Sequence, residues 1–258
     1  MSLVGAAILP HNPLLVPTVG LQNQTYFKST LQGIEKTIEF IESLNVDTII
    51  ILSSHNTIVP ETFLINLCTE YKVNFTKFGD LNTNLSYKTN TRAAYRLKES
   101  LETKLPVSLI SESELDYNFG VILYFFKNKL YQKSIIPIYS TNKQNDLQNV
   151  SFGEAIINLI NNDSQKFFVI ASGDLSHQNK PSAKVNTQYD HLLIKNLKQN
   201  NFKQVTDIPL EIIINAHQCI HNPILILSGI LNKINFSTEI YSFENIFGVG
   251  LLTAVMKL

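Results

Sequence analysis

Six histidines punctuate the chain: His11, His55, His177, His191, His217 and His221. Three stand just beyond an apolar run. His11 follows Leu3–Leu9 in L-P-H-N-P, His55 follows residues 48–52 in L-S-S-H-N, and His177 follows residues 166–171 in G-D-L-S-H-Q. Imidazole is the commonest protein ligand for Zn, Fe and Cu, and it titrates near neutral pH. Three at equivalent strand ends therefore point to a metal pocket, to an acid–base centre, or to both. A lone loop histidine is more often a solvated or capping group, and it is the repetition that lifts the chemical reading above that one. The third run adds a carboxylate and hydroxyls, Asp174 with Ser172 and Ser176, around the small residue Gly173.

The other candidates carry less. His217 and His221 are four apart in A-H-Q-C-I-H-N-P, a spacing that can share one helical face. However, Gln218 stands where an H-E-x-x-H zinc hydrolase needs its glutamate, and Pro223 argues against helix continuity. A zinc hydrolase with Asp174 as base has no such motif behind it. Cys219, between those histidines, is either a small buried hydrophobe or a thiolate ligand. Cys68, at the end of an apolar stretch, reads as packing, and His191 as a surface or packing residue within a helix. G-D-L-S-H-Q is not a G-x-S-x-G nucleophile elbow, because Ser176 adjoins His177 in sequence.

The elements that must position these groups alternate along the chain. Strands are expected at residues 3–9, 48–52, 62–67, 72–78, 106–110, 134–139, 166–171, 238–243 and 249–255. Helices are expected at 26–44, 91–104, 121–130, 152–160, 191–198, 210–217 and 223–231. Strands alternating with helices imply an α/β fold. A single domain over residues 1–258 is expected, because no linker, charge block or repeat divides it. A mainly parallel central sheet with helices on both faces would gather ligands beyond the carboxyl ends of its strands, where the three histidines fall.

Composition closes off other classes. With 44% hydrophobic and 16% charged residues the chain can form a packed core. Its 21 basic and 21 acidic residues cancel, which leaves no basic footprint for nucleic acid. Neither GxxxxGK[ST] nor GxGxxG occurs. The N-terminal M-S-L-V-G-A-A-I-L-P lacks a positive start and meets Pro10, Pro13 and Pro17, so neither a signal peptide nor a spanning helix is expected. A cytoplasmic protein without membrane partners is the expectation.

Taken together, L-P-H-N-P-L-L, T-I-I-I-L-S-S-H, Phe78-Gly79, A-S-G-D-L-S-H and F-G-V-G-L-L at 247–252 occur in an order that resembles the class III extradiol dioxygenase superfamily. That superfamily groups LigB-like catalytic subunits with the Memo proteins. The likeness is greatest to its small bacterial members called AmmeMemoRadiSam system protein B. The resemblance implies a non-haem metal at the strand ends, Fe(II) first, with Cu or Zn as alternatives. His11 and His55 match the ligating histidines, His177 the acid–base histidine, and Asp174 an aspartate beside the metal. The third ligand is a glutamate in the dioxygenase branch and a cysteine in the Memo branch, and Cys219 matches the latter. Tyr117, in L-D-Y-N-F-G, stands where members commonly carry a pocket histidine. The implied activity is cleavage of a catechol-like small aromatic ring with O2. The alternative is a Memo-like metal, redox or binding protein without dioxygenase activity.

Overall fold

Residues 48–53 read T-I-I-I-L-S, a β-branched run that suits a pleated surface packed on both sides. In the computed structural model, which describes residues 2–55, 58–59, 61–141, 146–178 and 186–258, this run is a strand buried along its whole length. Its alternate side chains feed different cores. Ile49 and Ile51 join one hydrophobic cluster, Ile50 and Leu52 the other. Period-two alternation thus divides the interior into two layers, one on each side of the sheet.

The strands in chain order are β1 (Leu3–Leu9), β2 (Thr48–Ser53), β3 (Phe63–Asn66), β4 (Glu70–Phe75), β5 (Asp80–Lys88), β6 (Val107–Ile110), β7 (Ser134–Tyr139), β8 (Phe167–Ser172), β9 (Ser237–Ile246) and β10 (Val249–Lys257). The helices are α1 (Pro17–Gly20), α2 (Lys28–Ser43), α3 (Thr91–Leu101), α4 (Tyr117–Phe126), α5 (Asp146–Ile160), α6 (Gln188–Lys198), α7 (Leu210–Ala216) and α8 (His221–Ile230). Eight strands form one sheet in the order β6-β3-β7-β2-β8-β1-β10-β9. The central four, β7-β2-β8-β1, are mutually parallel. Antiparallel pairings attach β3 on one side and the β10–β9 hairpin on the other. Helices α3, α5, α6, α7 and α8 contribute to one core, α2 and α4 to the other. The α/β architecture, with a mostly parallel centre and helices on both faces, is the one the sequence predicts.

Local boundaries differ where sequence signals are weak. Residues 72–78 do not form one strand, because β4 ends at Phe75 and a 3-10 turn, Thr76–Phe78, leads into Gly79 at φ 85°. The nine-residue β5 has no expected counterpart: D-L-N-T-N-L-S-Y-K is too polar to announce itself. It pairs with β4 in a separate two-stranded sheet, whose Tyr71, Val73, Phe75 and Tyr87 complete the core over α4. Helix α4 begins at Tyr117, four residues before residue 121, because the Asp116 carboxylate caps the Tyr117 N–H at 2.8 Å. Helices α7 and α8 are separate. His217 takes a left-handed φ of 51° and ends α7, and His221 opens α8. The two histidines therefore do not share a helical face.

No helix among the described residues is long and apolar enough to cross a membrane.

Candidate metal centre

Strands β2, β8 and β1 are adjacent and parallel, so the residues that follow them leave the sheet side by side. β1 and β2 lie two strand spacings apart, about 10 Å. β8, between them, ends at the small residue Ser172 and is followed by Gly173. The imidazoles of His11, after β1, and His55, after β2, lean toward each other across that end, with ring centroids 4.8 Å apart and edge-to-face. A Cβ on Gly173 would sit 2.8 Å from the Ile220 Cα, so only glycine admits the loop joining α7 to α8 at this distance. That loop delivers Cys219. The Cys219 N–H donates to the Asp174 carbonyl at 3.3 Å, and the Ser54 hydroxyl donates to the Cys219 carbonyl, tying the loop to the ends of both β8 and β2.

His11, His55 and Cys219 thereby offer one donor atom each, all within 4.8 Å of one another. The Cys219 Sγ lies 3.3 Å from His11 Nε2. Donors about 2.0–2.3 Å from one ion stand no more than about 4.5 Å apart, so the set fits a single metal after small side-chain rotations. Among the described residues this is the one group of three such donors.

Electrostatics favours lone pairs over protons on the two rings. Burial lowers His11 to about 4, against the opposing pull of Asp174 and with help from His55 and His177. Burial likewise lowers His55, opposed by Asp116 and Asp174. Both imidazoles are neutral at pH 7, the form that ligates. Burial, and then the Asp174 charge, pushes the Cys219 thiol up. A metal binding there must displace the thiol proton.

Asp174 links the ends of β1 and β8 to the loop that carries Cys219. Its Oδ1 accepts the His11 backbone N–H at 3.0 Å, and its own N–H donates to Cys219 Sγ at 3.2 Å. Its Oδ2 faces His177 Nε2 at 3.8 Å, a charge contact longer than a hydrogen bond. His177 is held through its backbone, donating to the Ala216 carbonyl at 2.8 Å and bridging to Val249 of β10. Its Nε2 is buried and makes no hydrogen bond among the described residues. His177 is thus at the rim of the donor group and outside it.

Tyr117 stands against both histidines. Its hydroxyl is 3.3 Å from His55 Nδ1, and its ring stands edge-on to both histidines. Burial, together with Cys219, Asp116 and Asp174, pushes its phenol to about 12, so it remains a proton donor at neutral pH. Tyr117 also lines a cavity of about 260 Å³ with Phe78, Lys77, Glu112, Glu114 and Asp116.

The remaining candidates lie elsewhere. His191 is exposed, 3.4 Å from the Thr187 hydroxyl, and His217 is exposed. His221 is buried and paired with Tyr189. Cys68 is partly buried against the core, its thiol turned to the Glu70 carbonyl at 3.2 Å, and neither cysteine is in a disulfide. Ser176 donates to buried Asp190 at 2.6 Å. Sequence reasoning missed Asn118, whose side chain donates to Ser53 at 2.7 Å and whose carbonyl accepts from Ser172 at 2.7 Å. Its place after Asp116-Tyr117 was the one available signal.

Residues 5–256 match the family described as the catalytic LigB subunit of aromatic ring-opening dioxygenase. This chain belongs to the LigB family. Protein CA_C1420 of Clostridium acetobutylicum is 28% identical over 272 residues, an alignment covering 100% of this chain and 58% of that protein. The LigB-family chain therefore spans less than two thirds of that relative. A crystal structure of the uncharacterized protein JW3007 from Escherichia coli K12 shares the fold, with a TM-score of 0.62 over 98% of this chain and 99% of that one, at 14% identity.

Proposed function

We propose that this LigB-family protein is a metal-dependent oxidoreductase of the extradiol type, acting on a small catechol-like aromatic with O2 at a non-haem Fe(II) held by His11, His55 and Cys219. The observation that carries this reading is the convergence of those three donors within 4.8 Å at the ends of adjacent parallel strands. When bound, such an ion supplies open coordination positions for a chelating diol and for O2. The chain's own residues do the rest. His177 is the proton carrier: its Nε2 is free of other hydrogen bonds among the described residues, and the Asp174 carboxylate at 3.8 Å stabilises the imidazolium that forms. Tyr117, protonated at neutral pH, offers its hydroxyl to a substrate oxygen on the side of the 260 Å³ cavity.

Anaerobic loading with Fe(II), followed by O2 uptake over a panel of catechols, tests the proposal. Uptake is expected with at least one catechol, and His177→Ala should lower it by roughly 10²–10⁴-fold with the iron content unchanged. Iron-loaded protein that consumes no O2 with any catechol would sink the dioxygenase reading.

Cys219 itself favours a second reading. A thiolate where a ring-cleaving centre carries a carboxylate softens the donor set and admits Cu. On that reading the protein is a Memo-like metal, redox or binding protein. Tight Cu retention with a reversible redox change, and no catechol-dependent O2 uptake, is its signature. The same uptake assay separates the two.

A further inference from the structure

We propose that Ser172 is a positioning residue that fixes the tautomer of His11, presenting the Nε2 lone pair to the metal position. The inference rests on the reading of His11 as a ligand and goes beyond it in assigning the group that makes His11 competent.

Ser172 is the last residue of β8, and it is fully buried. Its Oγ lies 2.7 Å from the Asn118 carbonyl oxygen and 3.0 Å from His11 Nδ1. A carbonyl oxygen has no proton to give, so the serine hydroxyl is the donor in the first contact. A hydroxyl has a single proton, and toward His11 the same oxygen can only accept. The proton in the Ser172–His11 contact therefore sits on His11 Nδ1. His11 is buried, and a neutral imidazole has one N–H. Nε2 is left with its lone pair, and it faces Cys219 Sγ at 3.3 Å, within the donor group.

The opposite tautomer fails twice. It would set the Nδ1 lone pair against a hydroxyl lone pair at 3.0 Å, and it would aim an N–H at the place where the ion must bind. Both groups are buried, so no solvent rearrangement relieves the clash.

The acceptor that orients Ser172 is itself anchored. Asn118 is buried near the start of α4 and donates through its side chain to Ser53, the last residue of β2, at 2.7 Å. The chain His11–Ser172–Asn118–Ser53 thus joins the exits of β1, β8 and β2. The Asp174 carboxylate holds the His11 backbone at 3.0 Å, so ring and main chain are each fixed by a separate group. Partners of this kind beyond a ligand set its tautomer and orientation, and their loss typically costs about 10–100-fold in metal affinity.

Long-range ¹H–¹⁵N correlation spectra of the histidine rings, taken on metal-free protein, read the tautomer directly. His11 in the unaltered protein is expected as the Nδ1–H form, and an Nε2–H signal there would overturn the proposal with no variant needed. Ser172→Ala should release the preference and populate the Nε2–H form, while Ser172→Thr, which keeps the hydroxyl, should retain Nδ1–H. The His221 signals, which report a separate buried ring, should stay in place in both variants and show that the fold is intact. Zn(II) affinity, measured by chelator competition, should fall about 10–100-fold in Ser172→Ala and much less in Ser172→Thr. An unchanged tautomer or an unchanged Zn(II) affinity in Ser172→Ala would overturn the positioning role. Failure of the metal reading is distinct: no variant or unaltered protein would then bind Zn(II), while the tautomer signals would still be readable.

Discussion

His11 and His221 are both buried imidazoles, and burial lowers each to about 4. By that measure they are the same residue in two places. Their surroundings differ. His221 opens α8 with Nδ1 3.3 Å from the Tyr189 hydroxyl and Nε2 3.9 Å from an Asp146 oxygen, beyond hydrogen-bond reach. His11 follows a central parallel strand, with its Nδ1 engaged by Ser172 and its Nε2 turned toward Cys219. Burial makes an imidazole neutral wherever it occurs. It becomes a candidate ligand only where the topology brings other donors to the same point, and adjacent parallel strands do that where the start of one helix does not. The contrast also separates two uses of a perturbed titration: at His11 it frees a lone pair, at His221 it records an imidazole packed against Tyr189.

The sharpest way to break this comparison is to remove one donor from each place. Cys219→Ala should abolish metal retention through gel filtration, a loss greater than the roughly 10–100-fold that follows removal of a supporting partner. His221→Gln, two residues away, should keep metal content within a few-fold of the unaltered protein. Elemental analysis of tag-free protein decides. Equal loss in both variants would show that the α7–α8 loop acts as one structural unit and that Cys219 has no special part.

The difference between the two histidines was half legible in the sequence. Apolar runs ending at Leu9, Leu52 and Ala171 mark three strands, and a histidine soon after each carries the idea of convergence. The central sheet follows from the same β-branched runs. What could not be read is set by long-range contacts. Cys219 leaves open a packing or a ligand role until Gly173 is seen to admit its loop. Ser172 reads as a small residue at a tight exit, because its partners Asn118 and His11 are 54 and 161 positions away. The polar strand β5 stays hidden because it is defined by pairing with β4 rather than by its own apolar content.

A smaller effect sharpens what the two imidazoles share. Each has an unfolded value of 6.5 and a folded value of about 4, so the unfolded chain takes up the proton first as pH falls. The stability from keeping each ring neutral is present in full above pH 6.5 and is lost progressively down to about pH 4. Each ring accounts for a decline of roughly 3 kcal/mol at most. Urea unfolding of metal-free protein across that range should show the decline, and His221→Gln should remove about half of the share these two rings contribute. A slope unchanged by His221→Gln would mean that its ring is not held neutral by the fold. Bound metal should steepen the acid loss, because protons then compete for His11, His55 and Cys219 together.

The smallest expected change tests whether Tyr117 belongs to the metal or to the substrate. Its hydroxyl is 3.3 Å from His55 Nδ1, a contact at the long end for a hydrogen bond, and its ring also faces the cavity beside Phe78. Tyr117→Phe keeps the ring, its edge contacts and the Asp116 cap on the backbone N–H, and it removes only the hydroxyl. Were that hydroxyl chiefly a support for His55, metal affinity would fall by the factor of ten or more that such supports carry. If it serves a substrate oxygen instead, metal affinity should change by no more than a few-fold while catechol binding weakens by about 1 kcal/mol or more, the value of one hydrogen bond. Paired titrations of Zn(II) and of a catechol into the loaded protein distinguish the two. The geometry favours the substrate, because the contact to His55 is long at 3.3 Å while the tyrosine stands beside the donor cluster and also lines the cavity.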